Sequence, residues 1–535
     1  MTKAVNESII HQIYFRSVAF LEITGTNSLW KDYDVDALPF NATTLSGKTD
    51  ENGAVIRELY FNGFATVDGM VRAFLRIYEA QDAKGIILYL PDGGIDPEIK
   101  YFTDNGYTVA VLDYRGASEG KYTIYPMSLS KCNAYGKNVF EADGDALSSC
   151  WFIWTCIARR AVRYLGSFGL PIFALGKGIG GSTVYKLCAF DDGLKAAATL
   201  LNILPDVRGT SAQLINYRAA LDNNAYAPIT AIPLFMAVSS NAEDGSLDEM
   251  SELVRDTASV KTFRIIARAF DDGIVKAFPQ TARFFDGYLA GEPKYPKTEI
   301  KAVNSDNKLY FEIKTDADQE KTTVKLFAAF CIKDASCRNW TQIKLMRLAG
   351  GEYMAHVDVL QDDKPVYAFV NTEDEFGNID SSVLHTVIPK NLGIPQQSAV
   401  KRRLIYDGSM GTDVWATPKG GTVTVKKGAF DIDGVSSDSN HLVTFKPGDL
   451  LYRADGDVML QLLICGNRQK LNVGIFDGKE KFYAQVELPG ANEYHKFTLA
   501  LSDFKGQGMP DDFSSIIMLE LFSDEEFIVS SVLWV

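Results

Sequence analysis

The chain has 535 residues, 46% of them apolar and 12% aromatic, and a formal net charge of −14. A single hydrophobic core stops growing near ~250–300 residues, so two to four domains are expected, all of ordinary globular composition. The acidic balance, with no Lys/Arg-rich run to offset it, disfavours nucleic acid and anionic membrane surfaces as partners, and no apolar run reaches the ~18 residues of a membrane span.

Met1–Ser8 lacks a basic region followed by a clean apolar run and a small-residue cleavage site. No signal peptide is expected, which points to the cytoplasm, or to the exterior if a leader was removed. Residues 1–49 read as an extension packing on the domain that follows. The seven cysteines (132, 150, 156, 188, 331, 337 and 465) are odd in number and mostly lie in apolar segments, unlike a disulfide framework. Cys331 and Cys337 could pair across a turn, but two free thiols are favoured.

From 56 to 290, apolar β-rich runs alternate with helical patterns. The runs are Ile56–Phe64, Val71–Glu79, Gly85–Leu90, Thr108–Asp113, Pro171–Leu175, Leu194–Leu201, Ile232–Ser239 and Val260–Ala269. The last six are near-continuous, as strands buried on both faces are, and the first two alternate as an edge hairpin would. Helices are predicted over Ile99–Asn105, Trp151–Leu165, Ser182–Phe190 and Phe278–Leu289, each with a glycine near its C-terminus. The expectation for 50–295 is a doubly wound, mostly parallel, eight-stranded α/β sheet.

Beyond Pro296 the texture turns to short alternating strands between Asn, Asp and Gly clusters. Two all-β domains are predicted, an immunoglobulin-like sandwich over 296–395 and a jelly roll over 396–535.

Four stretches of the α/β region carry a resemblance. They are Leu90-Pro91-Asp92-Gly93-Gly94, Asp113-Tyr114-Arg115-Gly116-Ala117-Ser118-Glu119-Gly120, the helix running from Trp151 to Leu165, and Gly176-Lys177-Gly178-Ile179-Gly180-Gly181. In this order they resemble the α/β-hydrolase superfamily, in particular its acetyl-xylan-esterase and dienelactone-hydrolase branch. The resemblance implies an oxyanion-hole loop at Gly93 and Gly94 and a nucleophile elbow at Gly178, where the family carries serine. Glycine offers no hydroxyl. The acid position falls at Asp244, and the histidine position at Asp271 and Asp272. No histidine lies between His11 and His356, and an aspartate of ordinary pKa near ~4 is a poor base for a hydroxyl. Ser182, four positions beyond the elbow, falls inside the next helix.

Gly176–Gly181 also fits Gly-x-Gly-x-x-Gly, but the strand Leu194–Leu201 ends without the acidic residue a dinucleotide site requires. A purely structural glycine turn remains a further alternative. Asp92, Asp244, Asp271 and Asp272 together would suit a hard cation, although aspartates beside glycines are more often turn residues. No cofactor is therefore expected, with a divalent cation as the alternative. Trp151 and Trp154 read as core, and Cys188 as a buried apolar residue without an activating base. His356, His385, His441 and His495 show no ligand spacing.

The stretches Tyr494–Gly506 and Phe527–Val535 resemble jelly-roll carbohydrate-binding modules, which implies stacking aromatics, with Trp415, Tyr452, Phe482 and Tyr483 as candidates. The reading reached is a hydrolase scaffold without serine or histidine that binds a carbohydrate or acylated small molecule through Asp92, Gly93, Gly94, Lys177, Gly178, Ile179, Trp415, Tyr452 and Tyr483. The alternatives are an active esterase using a non-standard site, such as one completed by His11, and a structural or assembly role. The oligomeric state is not indicated.

Overall fold

The computed structural model describes residues 25–49, 55–92, 98–118, 120–133, 146–201, 212–243, 246–259, 261–291, 293, 295–318, 320–348, 350–418, 421–490, 493–508 and 510–535. It divides into two compact units, one of 1–237, 249–262 and 278–294, the other of 238–248, 263–277 and 295–535.

The α/β part of the chain contains strands β1 (Thr43–Thr49), β2 (Val55–Thr66), β3 (Gly69–Glu79), β4 (Gly85–Leu90), β5 (Tyr107–Asp113), β6 (Ile172–Lys177), β7 (Ala196–Leu200), β8 (Leu234–Ser239) and β9 (Lys261–Ile266). Its helices are α1 (Thr26–Trp30), α2 (Glu98–Asp104), α3 (Cys150–Gly166), α4 (Ile179–Leu187), α5 (Ala212–Leu221), α6 (Asn223–Tyr226), α7 (Leu247–Asp256) and α8 (Phe278–Ala290). The strands form one sheet in the order β1-β2-β3-β5-β4-β6-β7-β8-β9. Pairing is antiparallel from β1 through β3 to β5, and parallel along β5-β4-β6-β7-β8. Every residue of β4, β7 and β8 is buried, which is why those runs carry no alternation.

The sheet has nine strands where eight were expected. The ninth is β1, whose residues Thr-Thr-Leu-Ser-Gly-Lys-Thr show no apolar alternation. It pairs with β2, so the hairpin β2–β3 is not the sheet's outer edge. Helix α4 starts at Ile179, directly after Gly178, and not at Ser182. Helix α3 is capped by Ser149, whose Oγ accepts from the Phe152 N–H at 3.2 Å, and buries Trp151 and Trp154 edge-to-face.

In the second unit, one pair of antiparallel sheets comprises Thr298–Ser305, Lys308–Thr315, Glu352–Val357 and Met346–Arg347 on one side, with Thr341–Ile343, Thr323–Phe330, Val366–Glu373, Ile379–Ser381 and His385–Val387 on the other. Alternate residues of both, among them Leu309, Phe311, Leu326, Ala355, Ala368 and Val370, meet in one apolar cluster, so the sheets face each other. A second pair, over 404–535, does the same through Leu460, Leu462, Val473, Phe482, Leu521 and Val532. Both are β-sandwiches. Cys331 and Cys337 are both free thiols, not paired with each other.

Candidate functional site

The turn from β6 into α4, where the elbow was expected, is strained. Gly178 sits at φ 52°, ψ −122°, which residues bearing a Cβ adopt only at a cost. Its N–H donates to the Leu200 carbonyl at 2.8 Å, fixing the turn against β7. The close approach of strand to helix depends on glycine elsewhere too, since a Cβ on Gly180 would lie 2.0 Å from the Leu90 oxygen. The turn is therefore built on glycine, with no side chain at 178.

The space that side chain would enter is filled. An ideal Cβ on Gly178 would lie 2.2 Å from Asp92 Oδ2. Asp92 is held by Arg115, whose Nη1 donates to Oδ1 at 2.9 Å and to the Asp92 carbonyl at 3.1 Å. The Arg115 side chain is only 7% exposed. Asp113 shapes the loop that carries Arg115: its carboxylate accepts from the Thr123 N–H at 2.7 Å and the Ala117 N–H at 2.9 Å. Burial nonetheless raises the Asp113 pKa, the backbone donors acting against it. A carboxylate clamped by arginine thus stands over the elbow. Lys177 is the last residue of β6, and Ile179, the first of α4, is buried. Gly93 and Gly94, the expected oxyanion loop, lie outside the described residues, as does His11.

Ser182 is fully buried and accepts a hydrogen bond from Asn223 Nδ2 at 3.0 Å. Asn223 Oδ1 in turn accepts from Lys186 Nζ at 2.5 Å, and that ammonium also lies 4.4 Å from the Trp151 ring centroid. Burial lowers the Lys186 pKa to about 7. The Ser182 hydroxyl serves this interior network. Cys188 is likewise fully buried, its thiol pushed up by desolvation.

The loops following β8 and β9 belong to the second unit. Asp244 lies outside the described residues. Asp271 is half-buried and accepts from the Glu243 N–H at 3.1 Å, while Asp272 is exposed. Both line a cavity of about 640 Å³ together with Glu243, His441, Lys481 and Glu520. Glu520 is the buried member, with His441 Nε2 at 3.3 Å and Lys481 Nζ at 3.5 Å. Burial raises its pKa, but the hydrogen bond from His441 and the charge of Lys481 outweigh that and leave the carboxyl lowered. Gly474, next to Glu520 across the sheet, has no side chain, and a Cβ there would lie 2.6 Å from Glu520 Cγ. Phe270, Phe445 and Phe476 supply apolar wall. The grouping of His441 with Glu520 was not anticipated, because the two lie 79 positions apart in the chain. Strand alternation is the signal that could have found it, since His441 and Glu520 flank the core residues Leu442, Leu519 and Leu521.

The aromatic candidates do not converge. Trp415 is a core residue, 4% exposed and edge-to-face with Tyr406, and Phe482 is equally interior. Tyr452 is half-buried and receives Arg402 Nη1 on its hydroxyl at 3.3 Å. Tyr483 is exposed and packs edge-on to Phe522. Among the described residues no three His, Cys, Asp or Glu side chains come together as a cation ligand set, and no helix is long and apolar enough to cross a membrane.

No protein-family model and no curated protein matches the chain. Among solved structures, an acetyl xylan esterase from Thermoanaerobacterium sp. JW/SL YS485 is similar at 14% identity and TM-score 0.39, over 50% of this chain and 96% of that one. An acetyl xylan esterase from Paenibacillus sp. R4 is similar at 14% and 0.37, over 48% and 90%. A dienelactone hydrolase from Anabaena variabilis ATCC 29413 gives 13% and 0.30, over 43% and 98%.

Proposed function

We propose that this protein is a catalytically silent α/β-hydrolase-like scaffold whose role is to bind a carbohydrate or acylated carbohydrate. The observation that supports silence is the elbow itself, where Gly178 presents no nucleophile and the Asp92–Arg115 pair occupies the place of one. An ester carbonyl needs an attacking atom and a proton acceptor at the same point, and a salt-bridged carboxylate is a poor substitute for either. The binding role is assigned to the second unit, in the cavity lined by Glu243, Asp271, Asp272, His441, Lys481 and Glu520. Charged hydrogen-bonding groups beside phenylalanine faces suit a polyhydroxy ring, which presents hydroxyls at its edge and C–H groups on its faces. The sandwich types, immunoglobulin-like and jelly roll, form part of the same proposal.

The test pairs turnover with binding. The full chain is expected to leave p-nitrophenyl acetate and acetylated xylan uncleaved and to resist serine-directed phosphonates. Titration with xylo-oligosaccharides, with and without O-acetyl groups, is expected to give heat that weakens about tenfold or more in Glu520→Gln, the loss of one charge-assisted contact. Phosphonate labelling of the wild-type chain would overturn the silent reading and favour an esterase with a non-standard site. Absence of binding by both sugar series would overturn the carbohydrate reading.

A further inference from the structure

A second cavity of the same unit shares no lining residue with the first. It encloses about 260 Å³, and its walls include Arg268, Asn339, His356, Lys446, Asp449 and Tyr452. Lys446 opens the short turn Lys446–Gly448 and is 5% exposed. A buried ammonium is normally met by a carboxylate or several carbonyls. Here the partners of Nζ among the described residues are the Met410 sulfur at 3.3 Å and the face of the Tyr452 ring, 4.1 Å from its centroid. Neither is an anion, so the amine is desolvated, and Lys446 is one of the residues that line the cavity.

We propose that Lys446 is an amine nucleophile and that this cavity admits a small carbonyl compound, which it holds as an imine. Lysine is activated for such chemistry by desolvation in apolar surroundings or by a neighbouring cation. Desolvation operates here. Burial pushes the Lys446 pKa down to about 8 against the opposing charge of Asp449, with smaller contributions from Arg402, which lowers it, and Asp407, which raises it. In the reaction the unprotonated nitrogen forms a bond to the carbonyl carbon. The carbonyl oxygen then collects two protons, one of them first borne by that nitrogen and one from solvent, and leaves as water as the carbon–nitrogen double bond closes, giving a protonated imine that returns its remaining N–H proton to solvent. No oxidant or reductant is consumed. Asp449 lines the same cavity, where its carboxylate is placed to relay a proton from solvent to the departing oxygen.

The test uses the full chain, propanal and cyanoborohydride, with peptide mapping of alkylated lysines across a pH series. Near pH 7 Lys446 is expected to be alkylated about tenfold faster than the exposed Lys100, because desolvation leaves part of it unprotonated there. Its rate should level off above an inflection near pH 8. Lys446→Arg, which keeps the charge over the Tyr452 ring, should abolish the signal at this position alone. A Lys446 that reacts no faster than Lys100 in the folded wild-type chain would overturn the proposal and leave the residue a buried cation serving only the packing of Tyr452 and Met410. The wild-type measurement decides this without relying on any variant.

Discussion

Gly178 carries two constraints that a substitution there would violate together. The first is conformational, since φ 52°, ψ −122° strains any residue with a Cβ. The second is steric, the Asp92 carboxylate lying where that Cβ would go. Gly178→Ser is therefore expected to lower stability by about 1–3 kcal/mol and to create no esterase. Pairing it with Asp92→Gly should recover part of the loss, giving a coupling energy of at least about 0.5 kcal/mol in a denaturation cycle. Additive losses would show that Asp92 yields without cost. A second residue-scale prediction concerns Lys186 and Asp222. Burial raises Asp222 to about 6 and lowers Lys186 to about 7. Between roughly pH 4 and 6 the folded state holds the extra proton at Asp222, so its contribution to stability falls as pH rises. Between about 7 and 10 the unfolded state holds the extra proton at Lys186, so that contribution climbs with pH, by at most about 1.4 kcal/mol per unit. Urea titrations of wild type and Lys186→Met should therefore run parallel below about pH 5 and diverge above it, first because Asp222 loses the ammonium that holds its carboxyl down and then because the mutant lacks the rise above pH 7. Parallel curves throughout would mean that Lys186 stays protonated.

At the scale of elements, helix α3 does more than cover the sheet. Arg160 is 1% exposed and donates from Nε to the Asn62 carbonyl at 2.6 Å, from Nη1 to that of Val35 at 2.6 Å and from Nη2 to that of Leu38 at 2.8 Å. One guanidinium thereby ties strand β2 and the segment leading to β1 onto the helix. A lysine could not span three divergent acceptors. Arg160→Lys and Arg160→Met are both expected to cost about 3–5 kcal/mol, the penalty for orphaning several buried carbonyls. Proteolysis should then open within 31–42 first. Cleavage elsewhere first would place the anchor in other contacts, such as Trp30 against Phe152. The strong elements were legible because burial on both faces writes itself as an unbroken apolar run, as in Gly85–Leu90, which agrees residue for residue. β1 escaped because its side chains show no such pattern and its strand character comes from backbone pairing with β2. Helix α7 was legible and overlooked, since Leu247, Met250, Leu253 and Val254 recur at helical spacing and are buried.

The whole molecule was legible in its sheet and less so in its sites. The strained turn could be located from Gly176–Gly181, but the carboxylate standing over it could not, because Asp92 and Arg115 meet through the packing of two separate loops. The same holds within the second unit, where segments 238–248 and 263–277 are stitched to residues a hundred positions later. Asn241 Nδ2 donates to the Ser336 and Arg338 carbonyls at 3.0 and 2.9 Å, and Arg338 grips Asp248 through two bonds of 2.7 and 3.0 Å. Along β9, the last strand of the sheet, the Phe263 and Ile265 N–H groups donate to Asp380 Oδ1 and Ser381 Oγ at 3.1 and 2.8 Å, and Asn371 Nδ2 donates to the Ile265 carbonyl at 3.0 Å. An edge strand whose ladder groups are satisfied by side chains depends on the segment that supplies them. Ending the chain at 295 would remove every one of these partners and leave a bare β9. Residues 1–295 alone are therefore expected to melt at least about 10 °C below the corresponding transition of the full chain, or to lose a cooperative transition, as the loss of several buried hydrogen bonds at about 1 kcal/mol each requires. Differential scanning calorimetry of the two chains makes the comparison. A fragment that unfolds cooperatively at the full-chain temperature would show that the α/β region closes its own edge, and that the side chains of Asn371, Asp380 and Ser381 are dispensable to it.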